Sequence, residues 1–352
     1  MDKLYTLNGI HYSKTDLLNY ANSKLADSNI SEWEHDLYSF IIEWFSKSSF
    51  ITISTSGSTG KPKPIELSKP DLYLSALRTI SYFSLAKGNS LLLCLSVKYI
   101  AGMMMVVRAF VGEMNLVCVS PQSIENNDFN NSPIDFVALV PLQLEQLLKT
   151  GNQIINFKKI IIGGAALSKS LSEKLLSSYT GMAYETYGMT ETITHVAVCK
   201  VENNNKKIFR AIPHITFSVD ERECLIIYDL IYNRTFVTND RVELLSTTEF
   251  VLLGRVDNVI NSGGIKIQPE EIETILAPFI SGKYVVSSIA DTSLGNKLVL
   301  IVEKGQNTEL IKNNIFALLP TYKQPKSIIE LNNIPLTSSG KIDFIQLKKI
   351  LE

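Results

Sequence analysis

The sequence predicts an α/β protein. It has a large N-terminal domain with mostly parallel sheets and a small β-rich subdomain, followed by a small α+β C-terminal domain. Three observations predict this. From residue 91, short apolar runs alternate with stretches of helical periodicity, the pattern of βαβ units. Residues 208–253 lose the helical signal and read as strands. After a boundary at 254–258 the mixed pattern returns, so the domains are expected at 1–254 and 255–352.

Ile51–Ser54 reads as a strand running into a glycine-rich loop. Leu91–Val97, Asn115–Val119, Asp135–Val140 and Lys159–Ile162 are apolar runs of strand length, as expected for a sheet buried on both faces. Between or after them, 101–112, 142–149 and 168–178 carry helical periodicity, the last capped by Ser168. Within the β-rich stretch, Leu225–Tyr228 and Phe250–Leu253 are the clearest strands. Beyond 258 come a loop, a helix opened by Pro269 at its first turn, strands at 284–290 and 297–303, and a helix near 308–319. A last strand and helix follow. The Asn-rich stretches 126–131 and 203–205 read as solvated loops, and there is no internal repeat.

A length of 352 residues suits about two domains, and 45% hydrophobic with 20% charged residues is ordinary for a globular protein. The net charge of −1 leaves no electrostatic footprint for nucleic acid or an anionic membrane, so any phosphate binding must be local. Four cysteines (Cys94, Cys118, Cys199, Cys224) lack CxxC or CxxH spacing, which argues against a zinc site or disulfide framework. The N-terminus lacks a basic-then-apolar signal. The most apolar run, Ile100 to Val107, stops at Arg108, short of the roughly 20 residues a membrane span needs. A cytoplasmic protein without membrane insertion is expected.

Four motifs carry the chemistry. Thr55, Ser56, Gly57, Ser58, Thr59, Gly60 and Lys61 place hydroxyls, glycines and a cation in one short loop. Backbone N–H groups, hydroxyls and Lys61 can cradle phosphate oxygens there. It is not a Walker loop: Thr55 stands where that motif needs its first glycine, and Pro62 where it needs Ser or Thr. Taken alone, a polar hairpin explains it equally well. In YGMTET, Tyr187, Gly188, Met189, Thr190 and Glu191 offer a flat ring, a hydroxyl and a hard carboxylate oxygen. The third motif is GRVDNVINSGGIKIQPEEIE at 254–273, and the fourth is PLTSSGK at 335–341.

In this order, from about residue 50 to the C-terminus, the four pieces resemble the adenylate-forming superfamily. It comprises acyl-CoA synthetases, peptide-synthetase adenylation domains and luciferases. The resemblance implies that fold, with the C-terminal domain as a mobile lid, and the chemistry of activating a carboxylate with ATP and Mg²⁺. It assigns the loop at 55–61 to the β- and γ-phosphates, Tyr187 to adenine stacking, Thr190 to an α-phosphate oxygen and Glu191 to Mg²⁺. Gly163, Gly164 and Ala165, after an apolar strand, match the adenine-pocket loop. Asp240, in VTND, matches the carboxylate that takes the ribose hydroxyls, with Asn239 in place of the usual glycine, and Arg255 its supporting arginine. Asp257 matches the hinge, and Ser262, Gly263 and Gly264 the loop facing the thiol acceptor. Lys341 matches the lysine that the lid inserts beside the α-phosphate. Pro64 and Asp343 depart from the family pattern.

Only 54 residues precede the glycine-rich loop, fewer than is usual in the family. With KYIAGMMMVVRA at 98–109 and YGMTETITH at 187–195, the chain is similar to compact bacterial o-succinylbenzoate–CoA ligases of menaquinone biosynthesis. That likeness implies a small-molecule dicarboxylate substrate with coenzyme A as acceptor. The second carboxylate needs a polar partner in an apolar pocket, for which Lys98, Thr194 and His195 are candidates, with Tyr99 flanking the ring. Lys98 as a solvated charge and His195 as a core histidine are the competing readings. At the level of function, the alternatives are an enzyme that loads another acid onto CoA or a carrier protein, and a non-catalytic nucleotide- or acyl-binding protein of the same fold.

Overall fold

The computed structural model describes residues 3–54, 64–122, 124, 133–150, 154–204, 206–280, 282–337 and 342–351. These form two compact units. One comprises residues up to Leu167 with Lys174–Asn203 and Ala211–His214; the other comprises Ser168–Glu173, Asn204–Arg210 and the chain from Ile215 onward. Residues 215–254 therefore group with those after 254.

In the first unit, β1 (Tyr5–Leu7) and β2 (Ile10–Tyr12) form a hairpin. Two helices follow, α1 (Lys14–Leu25) and α2 (Glu32–Phe45). Ser13 caps α1 by accepting from Asp16 N at 3.1 Å, and Ser31 with Glu34 closes a capping box on α2. A separate antiparallel pair, β3 (Phe50–Ser54) and β4 (Pro64–Ser68), precedes α3 (Lys69–Tyr82).

The alternating core follows: β5 (Ser90–Leu93), α4 (Ile100–Val111), β6 (Asn115–Cys118), β7 (Phe136–Leu139), α5 (Pro141–Thr150), β8 (Lys159–Ile162), α6 (Lys169–Ser178), β9 (Met182–Gly188) and β10 (His195–Lys200). The strands line up as β2-β1-β6-β5-β7-β8-β9-β10. Every pairing from β1 to β9 is parallel, with antiparallel pairs at the two margins. Phe136, Val137, Ala138 and Leu139 are all buried, as a strand covered on both faces requires. Ser168 caps α6 as expected, accepting from Leu171 N at 3.2 Å.

The first core strand is shorter than its apolar run. It ends at Leu93 because the chain must turn at Ser96 to seat α4: Tyr99 N donates to Ser96 O at 3.2 Å, and Gly102 lies against the Ser96 carbonyl too closely for a side chain. Val97 stays buried without being in the ladder.

In the second unit, β11 (Phe209–Ala211), β12 (Ile215–Val219), β13 (Cys224–Asp229), β14 (Arg234–Ser246) and β15 (Glu249–Arg255) pair antiparallel in the order β12-β13-β14-β15-β11. A smaller sheet follows, built from β16 (Ile260–Ser262), β17 (Ile265–Ile267), β18 (Tyr284–Asp291), β19 (Gly295–Glu303) and β20 (Ser327–Leu331). The helix α7 (Pro269–Leu276) covers one face through Ile272 and Leu276, and α8 (Phe344–Leu351) the other through Leu347. Strand alternation feeds both cores: Val286 and Leu300 point to the first, Val285, Val299 and Ile301 to the second.

The helix expected at 308–319 is broken into a turn at Thr308–Leu310, a wide turn at Ile311–Ile315 and a tight one at Phe316–Leu318. Consecutive Ile315 and Phe316 both pack into the core, which a regular helix with one apolar stripe does not favour. Among the described residues, no helix is long and apolar enough to cross a membrane.

Candidate functional site

The expected site residues fall into two groups, one in each unit. The glycine-rich loop, Thr55 to Lys61, and Lys341 lie outside the described residues.

In the first unit, the parallel strands β5, β7, β8 and β9 end on the same side, the edge where open α/β sheets bind ligands. Gly163 follows β8 directly, and its N–H bonds to Leu139 O at 3.0 Å. A Cβ there would sit 2.5 Å from Thr186 Oγ1, which itself donates to Ile162 O at 3.1 Å. Gly164 takes φ +85°, beside Val140 at the end of β7. Gly163 and Gly164 therefore lie where three strand ends meet.

Tyr187 and Gly188 end β9. Gly188 packs against the Thr194 carbonyl with no room for a side chain. The Met189–Thr194 turn is closed by Thr192: its Oγ1 accepts from Met189 N at 3.0 Å and donates to Thr194 O at 2.8 Å. Thr190 is half-buried, while Glu191 is exposed at the turn and has no partner among the described residues. A carboxylate left free in this way is of the kind that suits Mg²⁺, which takes one or two carboxylates plus phosphate oxygens and water.

The acyl-pocket candidates divide. Lys98 is exposed and ion-paired to α2, with Nζ 2.7 Å from Glu32 and 3.1 Å from Asp36. Tyr99 is the N-cap residue of α4 and half-buried. Thr194 is buried and shares a hydrogen bond with Ser75 at 3.0 Å. His195 is buried, its ring edge-on to Phe83 at 6.0 Å, and its Nε2 has no partner. Burial pushes its pKa well below the ordinary histidine range, and the nearby charges of Arg108 and Arg78 add to this, so the ring is neutral at pH 7.

Arg108 was not among the expected residues. It sits on α4 at 2% exposure; among the described residues Nη1 meets only Met105 Sδ, at 3.5 Å, and Nε has no partner. Burial lowers its pKa to about 9, still cationic at pH 7. No acidic residue lies within four positions of it in sequence, and that absence beside an apolar helix was the available signal. Arg108 and Arg78 thus surround a neutral, buried His195 with positive charge.

In the second unit, Asp240 on β14 stands opposite Arg255 on β15. Arg255 Nη1 donates to Asp240 Oδ1 at 3.0 Å and Nη2 to Asp257 Oδ2 at 2.9 Å. Gly263 and Gly264 form the two-residue turn between β16 and β17, with φ of +58° and +84°. Two consecutive positive φ values demand residues such as glycine, so the turn itself accounts for the pair. Gly264 has open space around it. An open cavity of about 920 Å³ adjoins this turn, lined by Arg222, Arg241, Lys266, Lys323 and Glu271 among others.

Residues 21–229 match the family model of AMP-binding enzymes. The 2-succinylbenzoate–CoA ligase of Staphylococcus aureus is 26% identical over 322 residues, 82% of this chain and 64% of that protein. The chain thus spans less than two thirds of that relative's length. The crystal structure of an acyl-CoA synthetase (AMP-forming)/AMP-acid ligase II-like protein from Dyadobacter fermentans is 32% identical. It covers 97% of this chain and 99% of its own, with a TM-score of 0.62. The Bacillus subtilis o-succinylbenzoate CoA synthetase, solved with its acyl-adenylate intermediate, shares the fold at a TM-score of 0.78 and 16% identity, covering 99% and 95%.

Proposed function

Since the chain belongs to the AMP-binding enzyme family, we propose that it is an AMP-forming acid–CoA ligase whose acid is o-succinylbenzoate. The observation that carries the choice of acid is Arg108, a buried cation with no acidic partner among the described residues. An unpaired charge in a dry interior costs several kcal/mol unless something compensates it. A substrate bearing a second carboxylate supplies that compensation, and an arginine fork matches a carboxylate's two oxygens. His195, neutral and unpartnered at Nε2, offers the same group a further hydrogen bond. The curated relatives named for 2-succinylbenzoate agree with this chemistry.

The reaction divides into two steps. The succinyl carboxylate attacks the α-phosphorus of ATP and pyrophosphate leaves. The CoA thiol then attacks the acyl carbon, AMP leaves, and the thiol proton passes to solvent. The carboxylate is already ionised at pH 7, so the first step needs positive charge and alignment rather than a general base. We assign the Gly163–Ala165 backbone and Tyr187 to adenine, Thr190 to the α-phosphate and Asp240, steadied by Arg255, to the ribose hydroxyls. Glu191 fits Mg²⁺, which when bound would neutralise phosphate charge. Lys341 and the loop at 55–61 supply the remaining cations, and Gly263–Gly264 the side-chain-free path for the thiol arm. The lid, hinged at Asp257, serves the two steps in two poses.

The test is pyrophosphate release from ATP across a panel of acids, with thioester measured once CoA is added. Selective turnover of o-succinylbenzoate over benzoate and short fatty acids is expected. Equal turnover of acids lacking the second carboxylate would remove the role given to Arg108, and release of ADP instead of AMP would remove the ligase assignment.

A further inference from the structure

We propose that Asn239 is a positioning residue that tethers the hinge aspartate, Asp257, and so sets how readily the Val256–Asn258 turn rearranges. Its amide Nδ2 lies 3.2 Å from each carboxylate oxygen of Asp257. Its Oδ1 accepts from Arg222 Nη1 at 3.1 Å, and Arg222 is in turn fixed by Asp220 at 2.7 Å and by Thr238 O at 3.3 Å. The amide is therefore pre-oriented from behind and can present only its donor edge to the hinge.

Asp257 is thus held from two strands. Asn239 on β14 holds one side, and Arg255, at the end of β15, holds the other at 2.9 Å while also pairing with Asp240. The hydrogen bond from Arg255 keeps Asp257 below the ordinary carboxylate range, and the Asn239 bonds act in the same direction. A glycine at 239 has no side-chain amide to offer, so the tether belongs to this chain's own choice of residue. Hydrogen bonds to a charged group are among the stronger polar contacts, though partial exposure of this pair weakens them. Rearrangement of the turn must break them.

The meaning of the hinge rests on the proposed ligase reading; the tether itself does not. The test uses the full chain and two readouts. The first is hydrogen exchange at the Val259 amide, which closes the turn onto Val256 O at 3.3 Å. Asn239→Gly should raise that exchange roughly tenfold while leaving the β14–β15 ladder unchanged. The second is the ratio of adenylate formation to thiolysis of a supplied acyl-adenylate, which should shift by a similar factor. In an Asp257→Ala background, Asn239→Gly should add nothing to either. Unchanged exchange in Asn239→Gly, or a full additional effect on the Asp257→Ala background, overturns the tether. Faster exchange with an unchanged ratio overturns its control of the reaction. Faster exchange with no acid turned over supports the tether and counts against the ligase reading alone.

Discussion

Thr186 Oγ1 stands 2.5 Å from the place a Cβ on Gly163 would occupy, so strands β8 and β9 close on each other with no allowance for a side chain. Gly163→Ala must therefore push Thr186 aside and break its bond to Ile162 O. A loss of about 1–3 kcal/mol in unfolding free energy is expected from overpacking, with a raised KM for ATP if this loop meets adenine. Thr186→Ala should restore much of that loss, because its Oγ1 is the only near obstacle and the next atom, Cβ, lies at 3.9 Å. Urea denaturation of both single variants and the double variant checks it. Simple additivity would contradict the clash.

The parallel sheet was legible because its strands are buried on both faces and read as unbroken apolar runs, as at Lys159–Ile162. Motif order singled out Gly163, Gly188 and the Gly263–Gly264 turn, and the structure gives each a steric or conformational reason of its own. What sequence does not carry is pairing at long range. Lys98 looked available, but Glu32 and Asp36, more than sixty positions away, neutralise it. Arg108 looked like the end of an apolar run, because burial of a charge depends on what α4 packs against rather than on its own neighbours.

Arg108 offers a test in which stability and function move in opposite directions. Arg108→Met keeps the volume and removes a buried cation that no acidic side chain among the described residues compensates. The ligand-free protein should gain about 1–4 kcal/mol, as when buried charges are replaced by well-packed apolar groups. Preference for the diacid over a monoacid should fall by about 10–100-fold, the worth of a lost charged hydrogen bond. Denaturation midpoints and acid selectivity of pyrophosphate release decide it. A destabilised variant with selectivity intact would make Arg108 a structural residue.

Glu273 gives the second unit a pH dependence. Burial raises its pKa to about 7, although its carboxylate accepts from Val286 N at 2.8 Å. The folded state thus holds a proton that the unfolded chain releases at its ordinary value of 4.5. The sign follows: folding is favoured by this group at low pH, and that contribution fades as pH rises from 4.5 through 7. At about 1.4 kcal/mol per pH unit the total is on the order of 3 kcal/mol. Glu273→Gln keeps an acceptor for Val286 and cannot ionise. It should nearly match the parent protein at pH 4 and exceed it in stability at pH 8, read by denaturation of the full chain at both values. An equal gain at both would remove ionisation as the cause.

Lys341 is assigned from the order of motifs alone, and the chemistry makes the assignment testable. In adenylate formation a carboxylate approaches a polyphosphate and pyrophosphate departs, so a cation beside the α-phosphate stabilises charge that grows in the transition state. In thiolysis the leaving group is AMP and the phosphate charge changes little at that position. A lysine serving the first step only should therefore separate the two. Lys341→Ala is expected to slow adenylate formation by about 10²–10³-fold, the usual worth of one such group. Thiolysis of supplied acyl-adenylate should stay within a few-fold of the parent rate. Lys341→Arg, which keeps the charge but changes its reach, should fall between them in the first step and match the parent in the second. Single-turnover measurement of each half-reaction separates these outcomes. A common fall in both steps would mean that one pose serves the whole reaction and that Asp257 is not a hinge between two.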